Sequence, residues 1–246
     1  MFLKKWEKLP PEMQTEDVRR YYDILEKKKF SLFLKRIFDI VVAAILLLLL
    51  LPVFLVLGIA IKLDSKGPVF YRQERVTKYN KIFRIFKFRT MVKDADKGLQ
   101  VTVGHDARIT RVGRIIRKCR LDEISQLIDV LRGTMTFVGT RPEAVKYVSC
   151  YTPEMMATLL LPAGITSEAS IRYKDEDKLL EVAEDVDSVY VEKILPEKMR
   201  YNLYSIEHFS FWKDILTMFR TVFAVLGKEY SNTLAEEQIE IVSMNK

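Results

Sequence analysis

Asp122 and Glu123 stand side by side in the segment RKCRLDEISQLIDVLRGTMTFVGTRPE, residues 117–143, with arginines at Arg117, Arg120, Arg132 and Arg141 around them. Adjacent carboxylates among guanidinium groups suit a reaction on a phosphate. The acids supply a nucleophile or a metal ligand, and the fixed donor fork of arginine offsets the phosphate charge. Leu121, Ile124, Leu127, Ile128 and Leu131 recur at helical spacing, which predicts an amphipathic helix with both acids in its first turn. In an isolated helix such acids would only complement the helix dipole; the surrounding arginines favour chemistry. After the helix, Arg132-Gly133 turns the chain into a predicted strand, Met135 to Val138, and residues 139–142 then present Arg141.

The elements that must carry this site lie on either side of it. Residues 69–75 (VFYRQER) and 81–91 (KIFRIFKFRTM) read as strands separated by a turn around Asn80. Lys87 and Arg89 alternate onto one strand face and are candidate phosphate ligands. Interleaved aromatic and basic residues also suit a nucleic-acid reader, but the upstream segment favours phosphate binding or plain strand packing. That segment, Phe38 to Leu63, is almost wholly apolar and long enough to cross a bilayer as a helix. Pro52 divides it, and the half from Ile40 to Leu51 would be only about 18 Å long. Lysines and arginines flank both ends, Lys27 to Lys29 with Lys35 and Arg36 before, Lys62, Lys66, Arg72 and Arg75 after. Positive flanks mark the cytoplasmic side, so a helix bent at Pro52 that enters and leaves one face satisfies both. A kinked spanning helix and a buried core helix are the alternatives. Asp39 is expected near the headgroups, paired with a neighbouring cation.

Residues 1–34 form an N-terminal amphipathic extension whose helical pattern, Glu16 to Lys29, reads either as a helix on anionic headgroups or as a solvated extension. Leu161 to Ile171 reads as a turn and a strand. Lys174 to Asp187 reads as an acidic solvated helix, and Glu197 to Leu226 as a long helical pattern rich in Tyr, Phe and Trp, part core and part headgroup belt. Residues 228–246 form a polar C-terminal tail. A chain of 246 residues carrying a net charge of +7 allows an anionic partner. Two cysteines, Cys119 and Cys150, make neither a disulfide framework nor a zinc spacing. With only His105 and His208 present, a histidine-rich metal site or a Ser-His-Asp triad is disfavoured. A Walker A loop, a GxGxxG motif and internal repeats are lacking.

The stretches KRIFDI (35–40), the Pro52-broken apolar run, SKGPVFYRQERV (65–76), FKFRTM (86–91), DARITRVGRIIRK (106–118), LDEISQL (121–127), VGTRPE (138–143) and AGIT (163–166) occur in this order. In that combination the chain resembles the bacterial sugar transferases, monotopic phosphoglycosyl transferases, in their compact form. The resemblance implies a mixed α/β (α+β) fold: a re-entrant helix over residues 35–64, a small cytosolic domain over residues 65–227, and interfacial amphipathic helices. It implies transfer of a sugar 1-phosphate from a nucleoside diphosphate sugar, a UDP-sugar, to undecaprenyl phosphate, starting an exopolysaccharide, capsule or related glycan. Asp122 would be the nucleophile and would carry the phosphosugar; Glu123 would complete the dyad and hold Mg2+. Lys87, Arg89, Arg117 and Arg141 would bind phosphates. The implied location is the bacterial inner membrane with the site at its cytoplasmic face. Membrane lipid is a partner, nucleic acid is not, and a homo-oligomer is allowed. A membrane-anchored, non-catalytic scaffold is the alternative reading. Thr77, Ala107, Ser125, Thr134 and Thr140 depart from the commoner family pattern, and none of them is an acid or base assigned to the chemistry.

Overall fold

The computed structural model describes residues 3–92, 108–174, 176 and 185–226. His105, Asp106, Ala107, most of the acidic run before Asp185, and the tail from Gly227 lie outside the described residues. The fold is mixed, as expected, and mostly helical: α1 (Glu16–Lys27), α2 (Lys29–Asp64), β1 (Phe70–Thr77), β2 (Lys81–Phe88), α3 (Arg111–Lys118), α4 (Leu127–Arg132), β3 (Met135–Val138), α5 (Val145–Val148), β4 (Ala163–Thr166), α6 (Glu168–Arg172), α7 (Val186–Val189), α8 (Leu195–Glu207) and α9 (Phe211–Leu226). β1 and β2 form an antiparallel hairpin in register from Phe70 opposite Phe88 to Thr77 opposite Lys81. β3 and β4 pair in parallel. The hairpin turns through Tyr79 and Asn80, both with positive φ, the second being a residue that tolerates this region well.

α1 begins at Thr15, whose side chain accepts from the Val18 N–H. Its apolar face, Val18, Tyr21, Tyr22 and Leu25, is buried with Leu159, Leu160, Leu203 and Ile206 in the largest core cluster. That corrects the expectation for this extension: protein covers the face, rather than headgroups or water.

α2 runs as one 36-residue element with Pro52 inside it, about 54 Å at 1.5 Å per residue. Lys35, Asp39, Ala43 and Ile61 are buried against the domain, whereas Leu48, Leu49, Val56, Ile59 and Leu63 are exposed. A long exposed apolar surface of this kind associates with membranes. Among the described residues Asp39 has no cation partner. Its carboxylate accepts from Thr136 Oγ1 at 2.7 Å and the Phe137 N–H at 3.3 Å, so it fastens α2 to β3. Lys35 donates to Val138 O at 2.8 Å and Asp214 Oδ2 at 2.6 Å. Arg36 donates to Val130 O and Leu131 O at the end of α4.

The strand expected through Ile171 stops at Thr166, because Ser167 accepts from the Ser170 N–H and starts α6. The long aromatic pattern is two helices. α8 opens with Pro196 in its first turn, where the missing N–H costs nothing. α9 leaves Trp212, Leu216, Phe219 and Phe223 exposed along one side, the stripe of an interfacial helix.

Candidate active site

Expected as the first turn of an α-helix, Leu121–Gln126 instead winds as a 3-10 helix that follows a left-handed Arg120. The cause is its docking on the outer edge of β2. There the Phe86 N–H donates to Asp129 Oδ2 at 2.8 Å, and the Phe86 carbonyl accepts from Ser125 Oγ at 3.0 Å. Ser125 Oγ also lies 3.2 Å from the Asp122 carbonyl, so one buried hydroxyl ties the dyad's turn to the strand. The departure at Ser125 therefore supplies a bond that a proline could not.

Arg141 reaches the dyad from the turn after β3. That turn crosses the start of β4 closely: the Gly139 N–H donates to Thr166 O at 2.9 Å and the Gly164 N–H to Thr140 O at 2.8 Å. A Cβ on Gly164 would lie 2.2 Å from the Gly139 carbonyl oxygen, so only glycine permits this approach.

Glu123 is clasped by two cations. Arg141 donates from Nη2 to Oε1 at 2.5 Å and from Nη1 to Oε2 at 3.3 Å, and Lys87 Nζ donates to Oε1 at 3.0 Å. Burial alone would raise the Glu123 carboxyl. The charges of Arg141 and Lys87, with their hydrogen bonds, outweigh it and hold the group far below the usual carboxylate range. Asp122 makes no ion pair with a described residue. Burial pushes its carboxyl up; Lys87 opposes that, Glu123 adds to it, and Arg117 acts more weakly in opposition. Two adjacent acids are thus driven apart, one locked as a carboxylate in an ion pair and the other desolvated and open. Neighbouring groups so divided have distinct roles.

Of the other expected residues, Arg117 donates from Nε to Thr90 Oγ1 at 2.9 Å and acts on Asp122 only through its charge. Arg89 is not brought to the dyad. Its guanidinium is buried under the last turn of α2, donating to Lys66 O and Ser65 O, each at 2.7 Å, and to Ser65 Oγ at 3.0 Å. Gly67, at φ +134°, makes room for it; a Cβ there would fall 1.8 Å from Arg89 Nη1. Arg89 closes a helix end, where carbonyls lack intrahelical partners, and this corrects its expected role as a phosphate ligand. Arg132 stacks over the Phe86 ring, and Arg120 reaches Lys174 O.

Sequence reasoning gave no role to a second polar layer behind Arg141. Glu143 is buried and accepts from Tyr190 OH at 2.6 Å and Lys198 Nζ at 3.2 Å, and Lys198 also pairs with Glu176 at 3.0 Å. Glu143 follows Arg141 by two residues, but the partners come from distant segments with no recognisable motif.

Magnesium commonly binds one or two carboxylates and takes its other oxygens from substrate phosphates and water. No group of three His, Cys, Asp or Glu suited to a metal occurs among the described residues. The donor set, an open Asp122 and a Glu123 whose Oε2 carries only the long contact to Arg141, fits a cation that arrives with a diphosphate.

An acidic dyad held among cations, in a domain seated against a long apolar helix, is the candidate site. The chain belongs to the bacterial sugar transferase family, whose sequence profile matches residues 30–228. It is 36% identical over 198 residues to the UDP-N-acetylgalactosamine-undecaprenyl-phosphate N-acetylgalactosaminephosphotransferase of Aeromonas hydrophila, covering 79% of this chain and 44% of that protein. It is 37% identical over 195 residues to the UDP-glucose:undecaprenyl-phosphate glucose-1-phosphate transferase of Escherichia coli (strain K12), covering 77% and 39%. To the protein of the same description from Caulobacter vibrioides it is 36% identical over 197 residues, covering 78% and 69%. The chain thus aligns with about two fifths of the first two of these relatives.

Proposed function

We propose that this chain transfers a sugar 1-phosphate from a UDP-sugar to undecaprenyl phosphate through a phosphosugar carried on Asp122, as the first step of an exopolysaccharide, capsule or related glycan. The observation that carries the proposal is the division within the dyad. Glu123 is neutralised by Lys87 and Arg141, while Asp122, one residue away, is desolvated and unpaired among the described residues. A non-catalytic scaffold has no use for such a carboxylate, whose burial costs free energy.

In the first step an Asp122 carboxylate oxygen attacks the sugar-linked phosphorus. A P–O bond forms to the carboxylate as the bond to the nucleoside phosphate breaks, and nucleoside monophosphate leaves with the electron pair. In the second step an oxygen of undecaprenyl phosphate attacks the same phosphorus and displaces Asp122. Covalent catalysis divides one difficult displacement into two. Lys87, Arg141 and Arg117 offset the charge gathering on the phosphate oxygens. Glu123 and Asp122 would hold Mg2+, which when bound would offset the charge of two anionic substrates. The relatives named above act on UDP-N-acetylgalactosamine and UDP-glucose respectively, which supports a UDP-sugar and leaves the sugar open.

We further propose that α2 re-enters the bacterial inner membrane from its cytoplasmic face. In support, both ends of α2 are bound to the same folded domain, Asp39 to β3 and the last turn to Arg89. The test is release of nucleoside monophosphate from a panel of UDP-sugars with Mg2+, detergent and undecaprenyl phosphate. Asp122→Asn is expected to abolish release and to retain no phosphosugar. Full turnover in that variant would remove Asp122 from the chemistry.

A further inference from the structure

The charged groups of the site form a connected run: Arg141 Nη2 donates to Glu123 Oε1 at 2.5 Å, and two residues beyond Arg141 the Glu143 carbonyl accepts from the N–H of Val76, the neighbour of Arg75, at 3.0 Å. Asp122 lies within the fields of Arg117 and Lys87. Glu123 lies between Lys87 and Arg141. Arg141 in turn feels Glu143, and beyond it Arg75 feels both Glu143 and Arg141. Among the described residues, the acids and cations between the two ends of this run are held in ion pairs, apart from Arg117, which donates to Thr90 Oγ1. Lys87 and Arg141 hold Glu123, and Lys198 holds Glu143 and Glu176. Asp122 is open at one end. At the other, Arg75 has no carboxylate partner among the described residues. Its Nη2 donates instead to Gln73 Oε1 at 2.9 Å, a neutral group two residues back on the same face of β1.

Strand alternation places Tyr71, Gln73 and Arg75 on the face that also carries Lys87, since Tyr71 lies opposite Lys87 in the hairpin. Burial weakens the hold of Arg75 on its proton, with Glu143 opposing the shift and Arg141 adding to it. A partly desolvated guanidinium without a carboxylate is costly, and its donor fork matches a phosphate. Gln73 fixes the orientation of that fork before a ligand arrives, which lowers the entropy lost on binding.

The proposed reaction says which phosphate belongs there. In an in-line displacement the leaving oxygen lies across the phosphorus from the attacking one. With Asp122 attacking from its end of the run, the nucleoside phosphate departs toward the side of Arg141 and β1. We infer that Arg75, oriented by Gln73, binds the phosphate of the nucleoside monophosphate half of the donor, beyond Arg141 from Asp122. This inference rests on the proposed reaction for its direction. It assigns the substrate phosphate retained by the nucleoside to a residue of the QER segment, for which the sequence offered only a flanking positive charge.

The experiment uses the full chain in detergent and measures uridine monophosphate binding by calorimetry for the wild type, Arg75→Gln and Arg75→Lys. KM values for the UDP-sugar and for undecaprenyl phosphate, and Tm, are measured alongside. Arg75→Gln is expected to weaken uridine monophosphate binding and raise the UDP-sugar KM by about tenfold or more, about 1.4 kcal/mol per factor of ten. Arg75→Lys should recover part of this, while Tm is unchanged and the KM for undecaprenyl phosphate stays within about twofold of wild type. A role confined to supporting Glu143 would instead lower Tm and leave nucleotide affinity intact. Unchanged nucleotide affinity in a folded Arg75→Gln overturns the inference. So does a rise confined to the KM for undecaprenyl phosphate, which would place Arg75 in the acceptor site. Should Arg75→Gln not fold, Gln73→Leu is read in the same way, with unchanged nucleotide affinity again counting against it. A wild-type chain that releases no nucleoside monophosphate from any UDP-sugar defeats the proposed function. The nucleotide titration still tests Arg75 in that case.

Discussion

Replacing Arg141 with glutamine removes one of the two cations that clasp Glu123 and leaves the carboxylate to Lys87 alone. Removing one partner of a buried ion pair costs about 3–5 kcal/mol, and of an exposed pair about 0–1 kcal/mol. The Arg141 side chain is 41% exposed and that of Glu123 24%, so solvent screening discounts the buried figure, and Lys87 retains part of the interaction. About 2 kcal/mol is expected, or roughly 4–8 °C in Tm for a chain of this size. The pH dependence identifies the group. In the wild type Glu123 titrates far below its unfolded value of 4.5. Its ion pairs therefore stabilise the fold fully above about pH 4.5, and that stability is lost as pH falls through the depressed folded value. In Arg141→Gln the burial that raises the carboxyl is offset less, so the variant loses less on acidification. The Tm gap between the two proteins should be full above about pH 4.5 and shrink as pH falls below that, toward the depressed wild-type value. Thermal melts in detergent at a series of pH values measure it, and nucleoside monophosphate release should fall by about 10²–10³ in the same variant, as for loss of one donor to a developing charge. A Tm gap that does not shrink as pH falls from about 4.5 through the acid range would refute the assignment of that stability to Glu123.

Arg89→Lys should lower Tm by several degrees without restoring the wild-type value, because one ammonium cannot serve Lys66 O, Ser65 O and Ser65 Oγ together; an unchanged melt would show that the cap contributes nothing. Gly164→Ala drives a methyl against the Gly139 carbonyl and should displace the turn carrying Arg141, lowering both Tm and nucleoside monophosphate release, whereas wild-type values would mean that the crossing is slack. On a Cys119→Ser, Cys150→Ser background, cysteines introduced at Phe30 and Lys66 should both react with an impermeant maleimide only from the cytoplasmic side; labelling from opposite sides would replace re-entry by a crossing. Deleting residues 1–28 should abolish a cooperative melt, since Val18, Tyr21, Tyr22 and Leu25 belong to the main core; a deletion variant that melts like the full chain would contradict that packing.

Local pattern was enough to read the hairpin, β3 and α1, because each follows a period of two or 3.6 bounded by turn residues. It failed where a distant group chose the conformation. The turn Leu121–Gln126 has helical apolar spacing, yet the free edge of β2, through Phe86, draws Ser125 and Asp129 into bonds that a straight α-helix would not make. Arg89 shares a strand face with Lys87 in sequence, but it stands just past the end of β2, where α2 terminates and offers it unpaired carbonyls. The dyad was legible because two adjacent acids among arginines are unusual. The layer of Glu143, Tyr190, Lys198 and Glu176 was not, since its members lie up to 55 residues apart and are joined only by the fold.

The charged residues of KRIFDI bear differently on the membrane than their sequence suggests. Counting Lys35 and Arg36 as headgroup-facing cations favours re-entry by the positive-inside rule, but both are engaged by protein, at Val138, Asp214, Val130 and Leu131. That removes two cations from the count and puts a tighter constraint in their place. Lys35, Arg36 and Asp39 bind the first part of α2 to α4 and β3, while Asp64 accepts from the Val112 N–H and Arg89 binds the last turn. For the two ends of α2 to lie on opposite sides of a bilayer, the domain that joins them would have to cross as well, carrying Glu123, Arg141 and Lys198 through hydrocarbon. The cost of several charges there favours the proposed re-entry. Lys35 also holds the carbonyl of Val138, three residues before Arg141. The docking of α2 on the domain and the placing of the guanidinium on Glu123 therefore share one strand end, and a shift of the helix along its axis would be felt at the dyad.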